Sequence, residues 1–204
     1  MPSTQEAWDE KHRLAAGDTS EEPAGILREL WPLLPTGPAL DLACGTGGNA
    51  LFLAEHGRHV AAVDWSRGAL DILKARAEAR QIPVRRIQGI EETSRSRGTG
   101  IDLLQANLEE IRLPKACFSL IVCIRYLQRS LFPQICRALH PGGMVLFETY
   151  TRAQLDFPGG PRNPAYLLGC GELRKAFPEL QTAFYRELRA GQGIASLAAV
   201  KKCL

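Results

Sequence analysis

Residues 38–49 read PALDLACGTGGN, a short apolar run that ends in closely spaced glycines. Short apolar runs bounded by glycine are typical of a strand that is buried on both faces of a parallel sheet. The glycines let the backbone approach a ligand that any Cβ would block. A helix starting at residue 49 would present its unpaired N–H groups to acceptor atoms. The segment therefore predicts a buried strand, a ligand-binding turn and a helix.

The same alternation of strands and helices continues along the chain. The predicted strands cover residues 38–43, 59–64, 101–107, 118–124, 144–149, 181–188 and 194–202, and the predicted helices cover 49–56, 67–80, 128–139 and 171–177. Such alternation favours parallel strands joined by right-handed crossovers. Residues 190–193, Ala-Gly-Gln-Gly, separate the last two strands and indicate an antiparallel hairpin. We therefore expect an α/β fold with a Rossmann-like, doubly wound seven-stranded sheet, mostly parallel with an antiparallel C-terminal hairpin strand.

The composition is that of an ordinary globular chain. It has 204 residues, of which 45% are hydrophobic and 23% charged, and this excludes disordered, collagen-like and coiled-coil classes. Lys and Arg together number 25 and Asp and Glu 22, and the resulting charge of +3 does not by itself imply a nucleic-acid partner. The length predicts a single domain over residues 1–204.

Several kinds of site and location are disfavoured by what the sequence lacks. Its six cysteines include no Cys-x-x-Cys pair, so we expect no zinc-ribbon or thioredoxin-type site and no metal. Residues 1–10 are polar and acidic, unlike a signal peptide. No stretch approaches the roughly 18 apolar residues of a membrane helix. We expect a reduced, cytoplasmic protein without a membrane partner.

Two segments interrupt the alternation. Residues 81–100 are polar and Arg-rich and are expected to form a surface insertion, either a solvated loop or a patch for an anionic substrate. Residues 151–170 follow the fifth predicted strand and contain Phe157-Pro158-Gly159-Gly160-Pro161. Ligands bind at the carboxyl edge of doubly wound sheets, so this segment is a candidate lid.

The glycine turn and the second strand together predict a nucleoside site. Asp64 ends that strand 17 residues after Gly47, where a carboxylate could accept both hydroxyl protons of a ribose. Gly45, Gly47 and Ala50 also satisfy the dinucleotide fingerprint G-x-G-x-x-G/A. From the residues alone, a nicotinamide dinucleotide and an adenosyl amino acid both remain candidates.

The turn resembles the first motif of class I S-adenosylmethionine-dependent methyltransferases, an acid followed by x-Gly-x-Gly-x-Gly. Asp41, Gly45 and Gly47 fit that motif, and Ala43 stands where the family has its first glycine. The resemblance implies that Asp41 lies near the methionine part of S-adenosyl-L-methionine. Because a dinucleotide enzyme makes no corresponding demand on Asp41, this residue favours the methyltransferase.

The resemblance extends over about residues 8–202. It implies that Asp64 binds the ribose and that Trp65 lies against the adenine. In the stretch resembling the family's "ADLE", Asn107 replaces the acid that receives the adenine amino group, so that contact would be neutral rather than charge-assisted. Two shorter segments also resemble family motifs: Ser119 lies in an "FDLI"-like segment, and Pro141-Gly142-Gly143 corresponds to the "xPGG" turn. Residues 8–13 resemble an N-terminal segment that covers the cofactor in small-molecule members of the family, including tellurite-resistance-like ones.

The resemblance thus predicts that residues 1–30 form an N-terminal cap segment. The predicted cofactor-binding residues are Asp41, Ala43, Gly45, Gly47, Asp64, Trp65, Asn107, Leu108 and Cys123.

Candidates for the acceptor side follow strands four and five. They are Arg125, Tyr126, Glu148, Tyr150 and Tyr166, each with packing or solvent exposure as the alternative role. Cys44 and Cys123 are expected to behave as small buried hydrophobic residues, His12 to lie on a surface arm, and His56 and His59 to be structural. We identify no catalytic residue from the sequence.

These patterns predict an S-adenosylmethionine-dependent methyltransferase that acts by in-line displacement on a small-molecule acceptor. Residues 123–126, Cys-Ile-Arg-Tyr, stand where DNA amino-methyltransferases have Asn/Asp-Pro-Pro-Tyr, which argues against nucleic acid as the acceptor. The alternatives are a nicotinamide-dependent oxidoreductase that uses the same turn and a non-catalytic subunit that binds an adenosyl ligand. The acceptor, the need for a general base and the oligomeric state are not predicted.

Overall fold

A computed structural model describes residues 22–95 and 98–203. The helices are α1 (Gly25–Leu30), α2 (Gly48–Glu55), α3 (Arg67–Ala79), α4 (Phe132–Ala138) and α5 (Glu172–Lys175). The strands are β1 (Ala39–Leu42), β2 (His59–Asp64), β3 (Val84–Arg86), β4 (Gly100–Gln105), β5 (Phe118–Ile124), β6 (Leu139–Tyr150), β7 (Leu180–Leu188) and β8 (Ile194–Lys201). Short 3-10 turns cover Trp31–Leu33, Ile90–Arg95, Arg129–Leu131, Arg152–Asp156 and Pro164–Tyr166.

The strands within residues 22–95 and 98–203 all belong to one sheet of eight, in the order β3-β4-β2-β1-β5-β6-β8-β7. Strands β1 to β6 run parallel, whereas β8 is antiparallel to both β6 and β7. The predicted α/β fold with an antiparallel C-terminal hairpin is therefore confirmed. The sheet has eight strands rather than the expected seven.

The additional strand, β3, lies inside the segment predicted as a surface insertion. It pairs with β4 alone and forms one edge of the sheet. Arg85 pairs with Asp102 on β4, and Arg86 pairs with Asp71 on α3. An edge strand needs no continuous apolar run because one side and one face can meet solvent. The polarity of residues 81–100 therefore concealed a strand.

Helices cover both faces of the sheet, as in a doubly wound fold. On one face, Leu40 and Leu42 pack in a core with residues of α4 such as Ile135. On the other face, Ala39 packs in a second core with residues of α1, α2 and α3, among them Leu73. The alternation of side chains along a strand directs neighbouring residues to opposite faces. As a result, β1 is buried on both sides.

The start of β6 departs from the prediction. Residues 140–143, expected to form a turn before the strand, are part of β6, and the pairing register with β5 shifts between Phe118 and Leu120. Gly142 has a φ of 77°, a left-handed conformation that favours glycine. The proline–glycine segment is therefore an irregularity within the strand. Within residues 22–95 and 98–203, no helix is both long and apolar enough to cross a membrane.

Candidate active site

The turn after β1 has an unusual backbone at every second residue. Ala43, Gly45 and Gly47 have φ values of 56°, 55° and 91°. A Cβ on Gly47 would fall 2.1 Å from Cδ1 of Leu73 on α3, so only glycine fits between the turn and that helix. Ala43 adopts the left-handed conformation despite its side chain, at a cost of about 1–2 kcal/mol. The turn is therefore strained and closely packed at its base.

Asp64 is fixed by the turn itself. Its Oδ2 accepts the N–H of Gly45 at 2.8 Å, and its Oδ1 accepts the N–H of Ser66 at 2.9 Å. The residue is 8% exposed at the end of β2. The backbone therefore orients both oxygens of this carboxylate at the carboxyl end of β2.

The glycine amides shape the turn rather than point at a ligand. The N–H of Gly45 is bound to Asp64, and the N–H of Gly47 donates to the carbonyl of Cys44 at 3.0 Å. The first-turn N–H groups of α2 are those that helix geometry leaves without an intrahelical acceptor. The backbone N–H groups that can contact a ligand here are therefore those predicted at the start of α2, not those of Gly45 and Gly47.

Asp41 lies beneath the turn and is 1% exposed. Neither of its carboxylate oxygens makes a hydrogen bond to a residue in the described part of the chain. Burial and the charge of Asp64 raise the pKa of Asp41 to about 8, and the backbone N–H of Ala50, which is near Asp41 but outside hydrogen-bond geometry, opposes this shift. A buried carboxyl group without a partner fits a cationic ligand group, and the ammonium of S-adenosylmethionine is one.

The predicted adenine contacts differ in how accessible they are. Trp65 is partly exposed, and its carbonyl accepts from Nε2 of Gln105 at 3.5 Å. Asn107 is half-buried, and its Oδ1 already accepts the N–H of Glu109 at 3.0 Å, which leaves that oxygen one further acceptor position. Leu108 and Cys123 are buried in the core below this edge. Their roles in cofactor binding stay predictions.

The predicted acceptor residues meet where β5 and β6 end. The N–H of Arg125, a residue with a φ of 58°, donates to the carbonyl of Glu148 at 2.7 Å. Oε2 of Glu148 accepts from the hydroxyl of the buried Ser196 at 2.6 Å. Backbone strain of this kind in a non-glycine residue is concentrated at functional sites. The side chain of Arg125 is exposed at this edge.

Tyr126 connects the cofactor side with the predicted lid. Burial raises the pKa of its phenol, and the nearby Cys123, Glu109, Asp64 and Tyr166 raise it further. Tyr126 therefore lies within electrostatic range of both Asp64 and Tyr166, the latter within residues 151–170. The carbonyl of Tyr150 accepts the N–H of Leu168 at 2.9 Å, which brings Tyr150 to the base of the same segment. The structure thus gathers the five acceptor candidates at one edge.

The candidate lid is tied to the fold by contacts that the sequence did not reveal. Gln154 is buried, and its Oε1 accepts the N–H of Gly193 at 3.0 Å. Arg129 donates to the carboxylate of Glu172 at 2.6 Å and to the carbonyl of Leu167 at 3.1 Å. These contacts join positions about 40 residues apart, and no local pattern announces them. The predicted cap residues 8–13 and His12 lie outside the described residues.

Two clefts lie at the opposite edge of the sheet. One, of about 450 Å³, is lined by residues such as Gly37, His59, Phe118 and His140, and the other, of about 320 Å³, by residues such as His59 and Arg85. Ligands of doubly wound sheets bind at the carboxyl edge. The two acids, the glycine turn and the strained Arg125 all lie at that edge. The candidate site is therefore identified by these residues and not by the volume of a cleft.

Comparison with known proteins agrees with this geometry. Residues 40–147 match the methyltransferase domain family. The chain is 26% identical over 163 residues to malonyl-[acyl-carrier protein] O-methyltransferase of Serratia marcescens, covering 74% of this chain and 55% of that protein. The curated relatives it matches are longer, and the alignments span 44% and 55% of their lengths.

Solved structures of low sequence identity share the fold. TehB from Haemophilus influenzae superposes with a TM-score of 0.71 at 17% identity, over 92% of this chain and 65% of TehB. An S-adenosylmethionine-dependent methyltransferase from Mesorhizobium loti gives 0.66 at 20% identity, over 89% of this chain and all of the other.

The mostly parallel sheet covered by helices on both faces, with a glycine turn after β1, defines a Rossmann-like α/β protein. Because the family match covers more than half of its residues, the chain belongs to the S-adenosylmethionine-dependent methyltransferases. The predicted class and the predicted cofactor are both confirmed.

Proposed function

We propose that this chain transfers a methyl group from S-adenosylmethionine to a small acceptor at the carboxyl edge of its sheet. The observation that carries the proposal is the pair of acids at the glycine turn. Asp64 is oriented by two backbone N–H groups, and Asp41 is buried without a hydrogen-bond partner among the described residues. The first suits a ribose and the second suits an ammonium group.

The cofactor supplies an electrophilic methyl group on a sulfonium, and the protein's task is to align an acceptor with it. Holding two reactants in line can contribute up to about 7–11 kcal/mol in favourable model systems. Arg125, Tyr126 and Tyr166 are placed to contact the acceptor beside the cofactor. Glu148, held by Ser196, is placed to receive a proton from an acceptor that must lose one.

A small-molecule acceptor is supported by the local sequence at the end of β5. Cys123-Ile124-Arg125-Tyr126 lacks the Pro-Pro-Tyr of enzymes that methylate DNA bases. The relatives do not narrow the acceptor further, because one is a malonyl-[acyl-carrier protein] O-methyltransferase and one solved structure is of a geranyl diphosphate C-methyltransferase. All six cysteines are free thiols, which supports a reducing compartment such as the cytoplasm.

Calorimetric titration with S-adenosylmethionine, S-adenosylhomocysteine and NADH tests the proposal. We expect saturable binding of both adenosyl ligands and none of NADH at the same concentration. Preferential binding of NADH would replace the proposal with the oxidoreductase alternative. Binding of the adenosyl ligands without turnover of any thiol, amine or oxyanion acceptor would instead support a non-catalytic binding subunit.

A further inference from the structure

Within residues 22–95 and 98–203, Asp41 is the only residue with two buried carboxylate oxygens that both lack a hydrogen-bond partner. It lies on β1 between Leu40 and Leu42, both of which are fully buried. A buried, ionised carboxylate without a partner is strongly unfavourable, and such a group neutralises instead. Geometry alone therefore favours the protonated form of Asp41 in the absence of a ligand.

The groups around Asp41 strengthen this preference. The ionisable side chains that face it in the described structure are Asp64 from β2, Cys44 from the turn and Cys123 from β5. All three are neutral or negative, and none is a cation. The charge of Asp64 is already fixed by the N–H groups of Gly45 and Ser66, so Asp41 is the acid that holds the proton.

We infer that Asp41 is protonated in the free protein and releases its proton when the ammonium group of the cofactor binds beside it. The inference rests on the proposed function in one respect, namely that the ligand is an adenosyl amino acid. The O–H bond of Asp41 breaks, its proton passes to solvent, and the carboxylate forms an ion pair with the ligand. Cofactor binding and proton release are then one coupled event.

This coupling fixes the direction of the pH dependence. The pKa of Asp41 is raised to about 8 in the free protein. Below that value the proton must be displaced for each ligand bound, so affinity weakens as the pH falls, by up to about tenfold per pH unit. Above it Asp41 is already ionised, and the affinity levels off.

Calorimetry of S-adenosylhomocysteine binding in two buffers of different ionisation enthalpy, phosphate and Tris, measures the protons released. For the native chain we expect close to one proton per ligand at pH 6–7 and about half a proton near pH 8. Asp41→Asn keeps the size of the side chain but has no proton to give. It should release none, and its affinity should be independent of pH between 6 and 8.

Asp71→Asn is the matched control, because Asp71 is an exposed carboxylate on α3 that pairs with Arg86. It should release protons as the native chain does. Binding of S-adenosylhomocysteine by the native chain with identical heats in both buffers, after correction for dilution, would overturn the coupling and leave the proposed function intact. Absence of binding by the native chain would overturn the proposed function itself. Should Asp41→Asn fail to fold, the proton count of the native chain between pH 6 and 8 still decides.

Discussion

Asp41 and Asp102 are both buried acids, 1% and 0% exposed, and each is the third residue of a parallel strand. Asp102 faces the amino edge, where its Oδ1 accepts from Nε of Arg85 at 2.7 Å and its Oδ2 contacts Nε2 of His59 at 2.9 Å. Asp41 lies at the carboxyl edge and has no such partner in the described ranges. Residues of the chain itself provide hydrogen-bond partners for the carboxylate of Asp102, whereas the described residues provide none for that of Asp41.

The contrast shows that the partners of a buried carboxylate distinguish a structural role from a ligand-binding role. A buried carboxylate is tolerated when a cation and hydrogen bonds compensate for its lost hydration. At Asp102 the compensation is internal, so the residue stabilises the edge formed by β3. At Asp41 the compensation must come from outside the chain. The smaller of the two clefts is lined by Asp102, and the unpaired acid therefore indicates the ligand site better than cleft volume does.

The largest difference between the two acids is expected in stability. Asp102→Asn removes the charge that pairs with Arg85 and His59 and should lower the free energy of unfolding by about 2–4 kcal/mol. Asp41→Asn replaces a neutral, unpartnered acid at pH 7 and should leave stability unchanged or raise it. Urea unfolding of the ligand-free proteins at pH 7 measures both values, and equal losses would remove the distinction between the two acids.

A somewhat smaller effect is expected for cofactor affinity at Asp64. Asp64→Asn removes the charge of the proposed hydrogen bonds to the ribose hydroxyls, which should weaken binding of S-adenosylhomocysteine by about 1.5–3 kcal/mol, or roughly 10- to 150-fold. Asp71→Asn serves as the control and should bind normally. An unchanged dissociation constant for Asp64→Asn would place the ribose elsewhere.

A third difference is expected in the pH dependence of stability that Asp41 contributes at the carboxyl edge. The pKa of Asp41 rises from 3.8 to about 8 on folding, so the native state binds more protons than the unfolded state between these values. Stability contributed by this group therefore falls as the pH rises from about 4 to 8, by at most about 1.4 kcal/mol per pH unit. The difference in unfolding free energy between native chain and Asp41→Asn should follow this slope. A difference that is constant with pH would show that Asp41 is ionised throughout.

The smallest effect concerns backbone strain at each edge. Ala43 at the carboxyl edge and Ala116 at the amino edge have φ values of 56° and 49°. Ala43→Gly and Ala116→Gly should each raise stability by about 0.5–1 kcal/mol, because relief of the strained conformation exceeds the entropy lost by glycine. Thermal unfolding measures the gain. A loss of stability at both positions would show that neither conformation is strained.

Much of the carboxyl edge could be predicted because its signals are local. The glycines, Asp41 and Asp64 fall within 24 residues, and strand periodicity places them at one edge. The sequence did not show that the amides of Gly45 and Gly47 are used within the protein, because that depends on the turn geometry. The sequence did predict the type and order of the main helices and strands.

The contacts of the amino edge and of the candidate lid, residues 151–170, could not be predicted because they join residues distant in sequence. His59 and Asp102 are 43 residues apart, as are Arg129 and Glu172. Strand β3 was missed because its polarity is compensated by ion pairs to β4 and α3, which no pattern within residues 81–100 reveals.

A crystal structure of the full chain with S-adenosylhomocysteine tests the central claim most directly. We predict the ribose hydroxyls within hydrogen-bond distance of Asp64, the ligand's ammonium group beside Asp41, and the sulfur directed toward Arg125 and Tyr126. A ligand bound in the amino-edge clefts beside His59, or one whose sugar lies away from Asp64, would contradict the account.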